Sequence, residues 1–582
     1  MRYAAVCVAW PAMLVAGVGV AAAVEPAEAI YGGGVILTMA GPEPEQVESL
    51  AVRDGRIVFA GPAAAAEAFA GPDTRRIDLA GKTLLPGFID THGHFVYFGK
   101  NLVDANLFGS ANVGEVLERM RKQAARTPAD GWIVGFGYQA RQLAEGRTPT
   151  AAELDRVSAD RPVLIVDSSG HLGAANAAAF RAAGISAATP DPVGGTFTRG
   201  EDGQSLAGPM EETALNAVRA KRPPFAGELA DRVITGAVEV WASHGQTTAM
   251  EAGLGLGNDD VAVVLNAIDK RLLPIDLYVA AKDSAMDETL AAAYAVASAS
   301  DPQAVGTLAR LRAARPDLDS RYVNRVRLGG IKFWLDGSLD TAWFTEPYTT
   351  NPPGKTGAFA GYRQIPDEVL DAAFDRFWAT GLQIHMHMNG DAAADQALAA
   401  IAKAVKKHGM HDHRPVFVHA SWLRPDQIER IKACGAIPSF LPSGIVPGGD
   451  AVVRLWGPVR SAGAMASRSF LRAGLPFTYS HDAPVSPVPS ILALVDAGVN
   501  RMSGSGQVIG PDERITPYQA LRAVTATAAY QLKEEKTKGT LEAGKLADLV
   551  ILERNPLAVE PTTIKDIAVV ETIKEGMTVW RR

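Results

Sequence analysis

The sequence predicts an α/β protein: a TIM-type (β/α)8 barrel with a small β-sandwich domain built from both termini and a subdomain inserted after the first barrel strand. Three observations predict this. Apolar β runs alternate with Ala- and Leu-rich helical stretches through the middle of the chain, the pattern of parallel βα units. The candidate strands Leu84–Asp90, Gln246–Glu251, Ile275–Val279, Val326–Phe333, Leu382–His387, Val416–His419, Ala436–Phe440 and Pro476–His481 make the eight that a closed barrel needs. The two ends of the chain are written alike, in short β runs separated by turn signals.

Residues 1–28 stand apart. Arg2 is followed by an almost unbroken apolar run from Ala4 to Val24 that leaves through Ala21, Ala22 and Ala23, the plan of a secretory signal peptide and hence of a periplasmic or secreted protein. The alternative is an uncleaved membrane anchor, since the run approaches the roughly 20 residues that span a bilayer. Its small-residue exit favours cleavage, after which no stable membrane association is expected. Cys7 would leave with this segment, so the processed chain keeps Cys434 alone and cannot form an internal disulfide. Any metal must then be held by nitrogen and oxygen ligands.

Residues 29–84 and 538–582 are assigned to the composite sandwich. The first contains Val35–Thr38, Ser49–Arg53 and Arg56–Gly61, with Arg53-Asp54-Gly55-Arg56 as a hairpin turn; the second contains Ala547–Leu552 and Thr578–Trp580. Residues 85–537 are assigned to the barrel. Within them, about 105–238 separate the first two barrel strands and carry a β run of their own, Arg161–Asp167, which marks an inserted subdomain over the barrel mouth. The 582-residue chain is 47% hydrophobic and 21% charged with a formal net charge of −7, so no basic excess favours a polyanion. Nucleic acid is not expected as a partner; a homodimer is an open expectation.

The chemistry sits where apolar strands end. In Thr83–Phe95 a strand runs into His92-Gly93-His94, and alternation along a strand points both imidazoles the same way, so the pair can hold one metal ion. Two neighbouring histidines can equally be solvated or bonded in a core. Downstream, Glu251, Lys332, His387, His419 and Asp482 each directly follow an apolar run. Each has a bland reading too; Asp482 before Ala483-Pro484 can simply begin a turn. Their joint occurrence points to one shared site at the C-terminal ends of the strands.

Longer phrases make the pattern specific: Leu85-Pro-Gly-Phe-Ile-Asp-Thr-His-Gly-His, Thr148-Pro-Thr-Ala-Ala-Glu-Leu-Asp, Ser169-Gly-His-Leu-Gly-Ala-Ala-Asn, Ile331-Lys-Phe-Trp-Leu-Asp-Gly-Ser, His387-Met-Asn-Gly-Asp, Ser480-His-Asp-Ala-Pro-Val and Gly539-Thr-Leu-Glu-Ala-Gly-Lys-Leu-Ala-Asp-Leu-Val. With these the chain resembles the amidohydrolase superfamily of metal-dependent hydrolases, in its family-3 branch of YtcJ-like proteins and N-substituted formamide deformylases, from about Ala29 to the end. The resemblance implies that His92, His94, Lys332, His387, His419 and Asp482 are metal ligands, with Lys332 at the position of a carboxylated lysine bridging two ions. An unmodified Lys332 beside one ion is the alternative. It further implies a divalent cation, of which zinc suits nitrogen and carboxylate ligands well, with iron and manganese open.

Asp482, His419 and His171 are the catalytic candidates, with Asp482 as general base and His171 as a substrate or oxyanion contact. The activity implied is hydrolysis of a C–N bond in a small non-peptide amide, N-acyl or N-formyl compound. The same apparatus on a lactone, carbamate or cyclic amidine is an alternative, and so is a non-catalytic regulatory or binding relative. Glu211, in the inserted subdomain like His171, has a weaker claim to a functional role, while Asp336 has equal claims to structural and functional roles. His385 is placed on the face opposite His387 and outside the ligand set, His481 is a candidate secondary polar contact, and Tyr138, Trp343 and Phe344 are candidate pocket walls or packing residues.

Overall fold

The computed structural model describes residues 25–140, 142–168, 170, 172–192, 195–257, 259–282, 307–319, 321–352 and 355–582. Its centre is an eight-stranded parallel sheet curled into a barrel: β1 (Phe88–Ile89), β2 (Gln246–Leu254), β3 (Asp276–Lys282), β4 (Val326–Trp334), β5 (Gln383–Met388), β6 (Val416–His419), β7 (Ile437–Phe440) and β8 (Thr478–Tyr479). Each strand pairs in parallel with the next in sequence, for example Lys332 with His385 and His387 with Val418. No ladder joins β1 to β8 among the described residues. That join is made instead by single bonds: Thr91 Oγ1 donates to Tyr479 O at 3.0 Å, Asp482 N to His92 O at 2.9 Å and His94 N to Ala483 O at 2.9 Å.

The first barrel strand is shorter than the run Leu84–Asp90 suggests. Thr83–Pro86 lies in another sheet, pairing with Leu549–Leu552 and Val35–Leu37, and only Phe88–Ile89 enters the barrel. Pro86-Gly87 forms the break, and a Cβ at Gly87 would sit 2.4 Å from the Thr247 side chain, so the crossing leaves no room for a side chain there. The sandwich itself has a four-stranded sheet in the order Arg56–Gly61, Ser49–Arg53, Ala29–Gly32, Arg75–Asp78 and a six-stranded sheet that includes Thr83–Pro86, Leu549–Leu552, Val569–Lys574 and Met577–Arg581. Leu50, Val52, Ile57, Leu84, Leu549, Ile551 and Ile573 fill the space between them. Residues ahead of Ala29 are already part of this layer: Ala27 N donates to Phe69 O at 2.7 Å and Glu28 N to Val52 O at 2.8 Å.

Between β1 and β2 stands a six-stranded sheet running from Ala105–Asn106 to Leu206–Glu212 and Gly195–Arg199, with helices on it. Its helices start where the sequence provides caps: the Asn112 side chain accepts from Glu115 N and the Asn176 side chain from Ala179 N, both at 2.9 Å. Two helices connect this region to the barrel. Phe95–Val103 follows His94 directly and packs on Glu228–Ser243, with Phe95 and Phe98 edge-on to Trp241 at 5.1 and 4.9 Å. No described helix is long and apolar enough to cross a membrane.

Candidate metal centre

Barrel strands end at one rim, and so do the expected ligands. His92 and His94 follow β1, Lys332 lies near the end of β4, His387 in β5, His419 ends β6 and Asp482 follows β8. Asp482 is the hub. Its Oδ1 lies 3.3 Å from both His92 Nε2 and His94 Nε2, and its Oδ2 lies 3.6 Å from His419 Nε2. Lys332 Nζ is 3.3 Å from His92 Nε2. The His387 ring stands 4.8 Å from the His419 ring, edge to face, completing a contiguous set of six. His171 lies outside the described residues.

The donor chemistry fits a cation. Donor atoms of His92, His419 and Asp482 all fall within 4.8 Å of one another, in a buried cluster. Asp482 Oδ1 is buried and, although two imidazole nitrogens are near, none is aligned to hydrogen-bond it. A buried carboxylate oxygen without a donor is costly unless a cation balances it. Burial alone would lower His94, but Asp482 and Glu251 outweigh it and raise the imidazole to about 9, so the cluster draws positive charge. Burial holds His92 and His419 well below the ordinary imidazole range, which leaves them neutral as ligands must be. Burial would raise Asp482, yet His419, His92 and His94 hold it well below the usual carboxylate range. Burial pushes Lys332 down to about 7 against the pull of Asp482 and Glu251. A lysine near that value is substantially a neutral amine at neutral pH.

Carboxylates stand behind two of the histidines. Glu251 Oε1 lies 3.8 Å from His94 Nδ1, while Glu251 accepts from Val96 N at 2.7 Å and Gly253 N at 3.1 Å. Asp336 Oδ1 lies 3.2 Å from His387 Nδ1, and the Asp336 carboxylate accepts from Trp343 N, Asn389 N and Gly390 N at 2.9–3.0 Å. Such outer partners set the orientation and tautomer of a ligating imidazole. Asp336 is therefore an organiser of the β4 and β5 loops.

One expectation is corrected by the structure, and three further candidates are placed by it. His385 shares the barrel-facing side with His387, as residues two apart on a strand must; it sits one layer deeper, fully buried, 6.1 Å from the Tyr278 ring, with both nitrogens unpartnered. Tyr138 is buried in the core of the inserted sheet rather than in a pocket wall, its hydroxyl 3.4 Å from Thr148 Oγ1. Phe344 is buried against Tyr348 and Trp456. Glu211 is an exposed strand residue opposite Leu172 and Thr196.

Three residues that sequence reasoning passed over hold the floor of the site. Asp90, two before His92, accepts from His92 N at 3.0 Å, Trp241 Nε1 at 3.1 Å and Met250 N at 3.2 Å. Trp241 faces it from the helix before β2, and Gln246 of β2 lies with its Oε1 3.3 Å from His481 Nε2. A signal was present in Asp90-Thr91-His92: a carboxylate two residues before a ligand, at the end of an otherwise apolar strand.

The amidohydrolase family profile matches residues 75–580. YtcJ of Bacillus subtilis, described as a putative amidohydrolase, is 26% identical over 564 residues that cover 95% of this chain and all of that one. The N-substituted formamide deformylase of Arthrobacter pascens is 27% identical over 553 residues, 92% of this chain and 95% of that one. Among solved structures, an uncharacterized metal-dependent hydrolase from Pyrococcus furiosus superposes with a TM-score of 0.70 at 26% identity, over 91% of this chain and 99% of that one. A barrel whose rim gathers four histidines, a lysine and an aspartate, and a family match over almost the whole length, agree: the chain belongs to the amidohydrolase family.

Proposed function

We propose that the protein hydrolyses the C–N bond of a small non-peptide amide, of the N-acyl or N-formyl class, using a divalent ion held by His92, His94, His387, His419, Asp482 and Lys332. The observation that carries this reading is the buried Asp482 Oδ1, set 3.3 Å from both His92 Nε2 and His94 Nε2 with no donor aligned to it. A divalent ion held there would supply Lewis-acid chemistry, making a water more acidic and polarising an acyl oxygen. Asp482 serves as the general base: its carboxylate takes the proton of the attacking water and hands it to the departing nitrogen. Lys332 acts as its carbamate, and the fall of its amine to about 7 by burial supports this, because the neutral amine is the form that adds carbon dioxide. The deformylase relative, which acts on N-substituted formamides, supports the bond class.

The test is a panel of N-formyl, N-acetyl and longer N-acyl amines, with lactones beside them, assayed before and after chelation. Chelator-sensitive amide hydrolysis that returns with zinc is expected. Turnover of lactones alone would overturn the bond assignment, and turnover indifferent to chelation would overturn the metal. We also propose export by cleavage of the N-terminal segment, supported by its basic, apolar and small-residue order. N-terminal sequencing of protein from the periplasm or medium is the check, and an intact Met1 in membrane fractions would refute it.

A further inference from the structure

We infer that His481 is a positioning residue: its imidazole bridges over Asp482 and fixes that carboxylate, through one defined tautomer, against the floor of the site. The inference rests on the proposed role of Asp482 as ligand and base. His481 is fully buried, and its Nδ1 accepts a hydrogen bond from Ala483 N at 3.0 Å. An imidazole nitrogen that accepts carries no proton, so the neutral ring carries its proton on Nε2. That nitrogen lies 3.4 Å from Asp90 Oδ1 and 3.3 Å from Gln246 Oε1, both acceptors suited to it. The ring also stands edge-on to Trp241 at 5.4 Å, which leaves it one orientation.

The residue spanned by this bridge is unusual. Asp482 has a φ of 52°, in the left-handed region that most side chains avoid and that Asp tolerates when local hydrogen bonds hold it. The bonds that hold it are those from Ala483 N to the His481 ring, from Asp482 N to His92 O at 2.9 Å and from Val485 N to Asp482 O at 2.8 Å. His481 thus connects the turn carrying Asp482 to Asp90, whose same oxygen takes His92 N at 3.0 Å. Gly93 provides the space: a Cβ there would lie 2.7 Å from His481 Cε1 and 2.5 Å from Asp90 Oδ2. One ring therefore ties the two ends of the ligand set, His92 on one side and Asp482 on the other. It does so from a fully buried position.

Two substitutions separate this role from simple space filling. His481→Asn keeps an acceptor near the Nδ1 position, still able to take Ala483 N–H, and gives up the Nε2 end. His481→Gln keeps a donor near the Nε2 position and gives up the acceptor. Zinc affinity of the full chain, measured by competition with a chromophoric chelator, is the readout, with kcat and KM alongside on whichever amide the wild type turns over. Loss of an outer partner commonly costs 10–100-fold in metal affinity or activity. We expect His481→Gln to bind zinc at least fivefold more weakly than His481→Asn, with kcat falling and KM little changed. A smaller gap, or the reverse order, overturns the inference. Should either variant fail to fold, histidine-selective 15N spectra of the wild type decide: His481 must be the neutral Nε2–H tautomer, and an Nδ1–H tautomer overturns the inference. A wild type that binds no zinc at all instead refutes the metal reading itself, and the tautomer remains measurable.

Discussion

Removing the Asp336 side chain is the sharpest test of how the rim is organised. The carboxylate is fully buried and accepts from three backbone donors, Trp343 N, Asn389 N and Gly390 N, all at 2.9–3.0 Å. In Asp336→Ala each of these N–H groups is left buried without an acceptor, at about 1–3 kcal/mol apiece. Relief from burying a charge offsets part of that sum, so a net loss of about 4 kcal/mol is expected. Asp336→Asn keeps one oxygen that can serve Trp343 and Gly390, and should cost about half as much. The two variants also differ at His387, whose Nδ1 lies 3.2 Å from Asp336 Oδ1: the Asn amide presents a donor there and reverses the tautomer preference. Urea unfolding followed by tryptophan fluorescence reads the stability, with an unchanged m-value required for the comparison, and zinc competition reads the site. An Asp336→Ala protein within about 1 kcal/mol of wild type would refute the argument that this carboxylate satisfies the loop backbone.

Further outcomes follow from other contacts. Gly93→Ala should abolish hydrolysis while leaving the β-sandwich intact by circular dichroism, because its Cβ has no room between Asp90 and His481. Asp482→Asn removes the proposed base and should lower kcat by about 10²–10⁴ with less effect on KM. His413, packed on Trp378 with ring centroids 3.8 Å apart, is lowered by burial and then by Lys533 to about 4 from 6.5. The unfolded chain therefore binds the extra proton between those values, and stability should fall as pH drops from 6.5 toward 4; His413→Phe should flatten that slope in pH-dependent melting. Lys332→Ala should lose zinc affinity and recover part of its activity in added formate or another short carboxylate, if a carbamate is what the lysine supplies.

Much of this arrangement was legible because the chemistry lies at strand ends, where an apolar run stops and a polar residue must begin. Lys332, His387, His419 and Asp482 carry that signature individually, and the eight runs gave the order in which the barrel brings them together. The signal failed where local pattern is ambiguous. Leu84–Asp90 reads as one strand, but Pro86-Gly87 splits it between two sheets, with Gly87 close against Thr247, a contact that no local pattern encodes. The support of the ligands was equally hidden. Glu251 facing His94, Asp336 facing His387 and Asp90 facing His481 are pairs 157, 51 and 391 positions apart in the chain, and only the closed barrel makes them neighbours. Tyr138 and Phe344 show the converse, since an aromatic beside a loop says nothing about which layer receives it.

The join between β1 and β8 has a consequence of its own. Seven interfaces of the barrel are zipped by strand pairing, whereas this one rests on Thr91, His92, His94 and the backbone around Asp482. The residues that close the ring are the residues that would do the chemistry, so the reactive groups double as its clasp. Any breathing of the barrel should begin there, parting His92 from Asp482 before other strands move. Amide exchange at Asp482 N and His94 N would then report closure and ligand assembly as one event, slowed together when a cation is bound and quickened together when it is withdrawn.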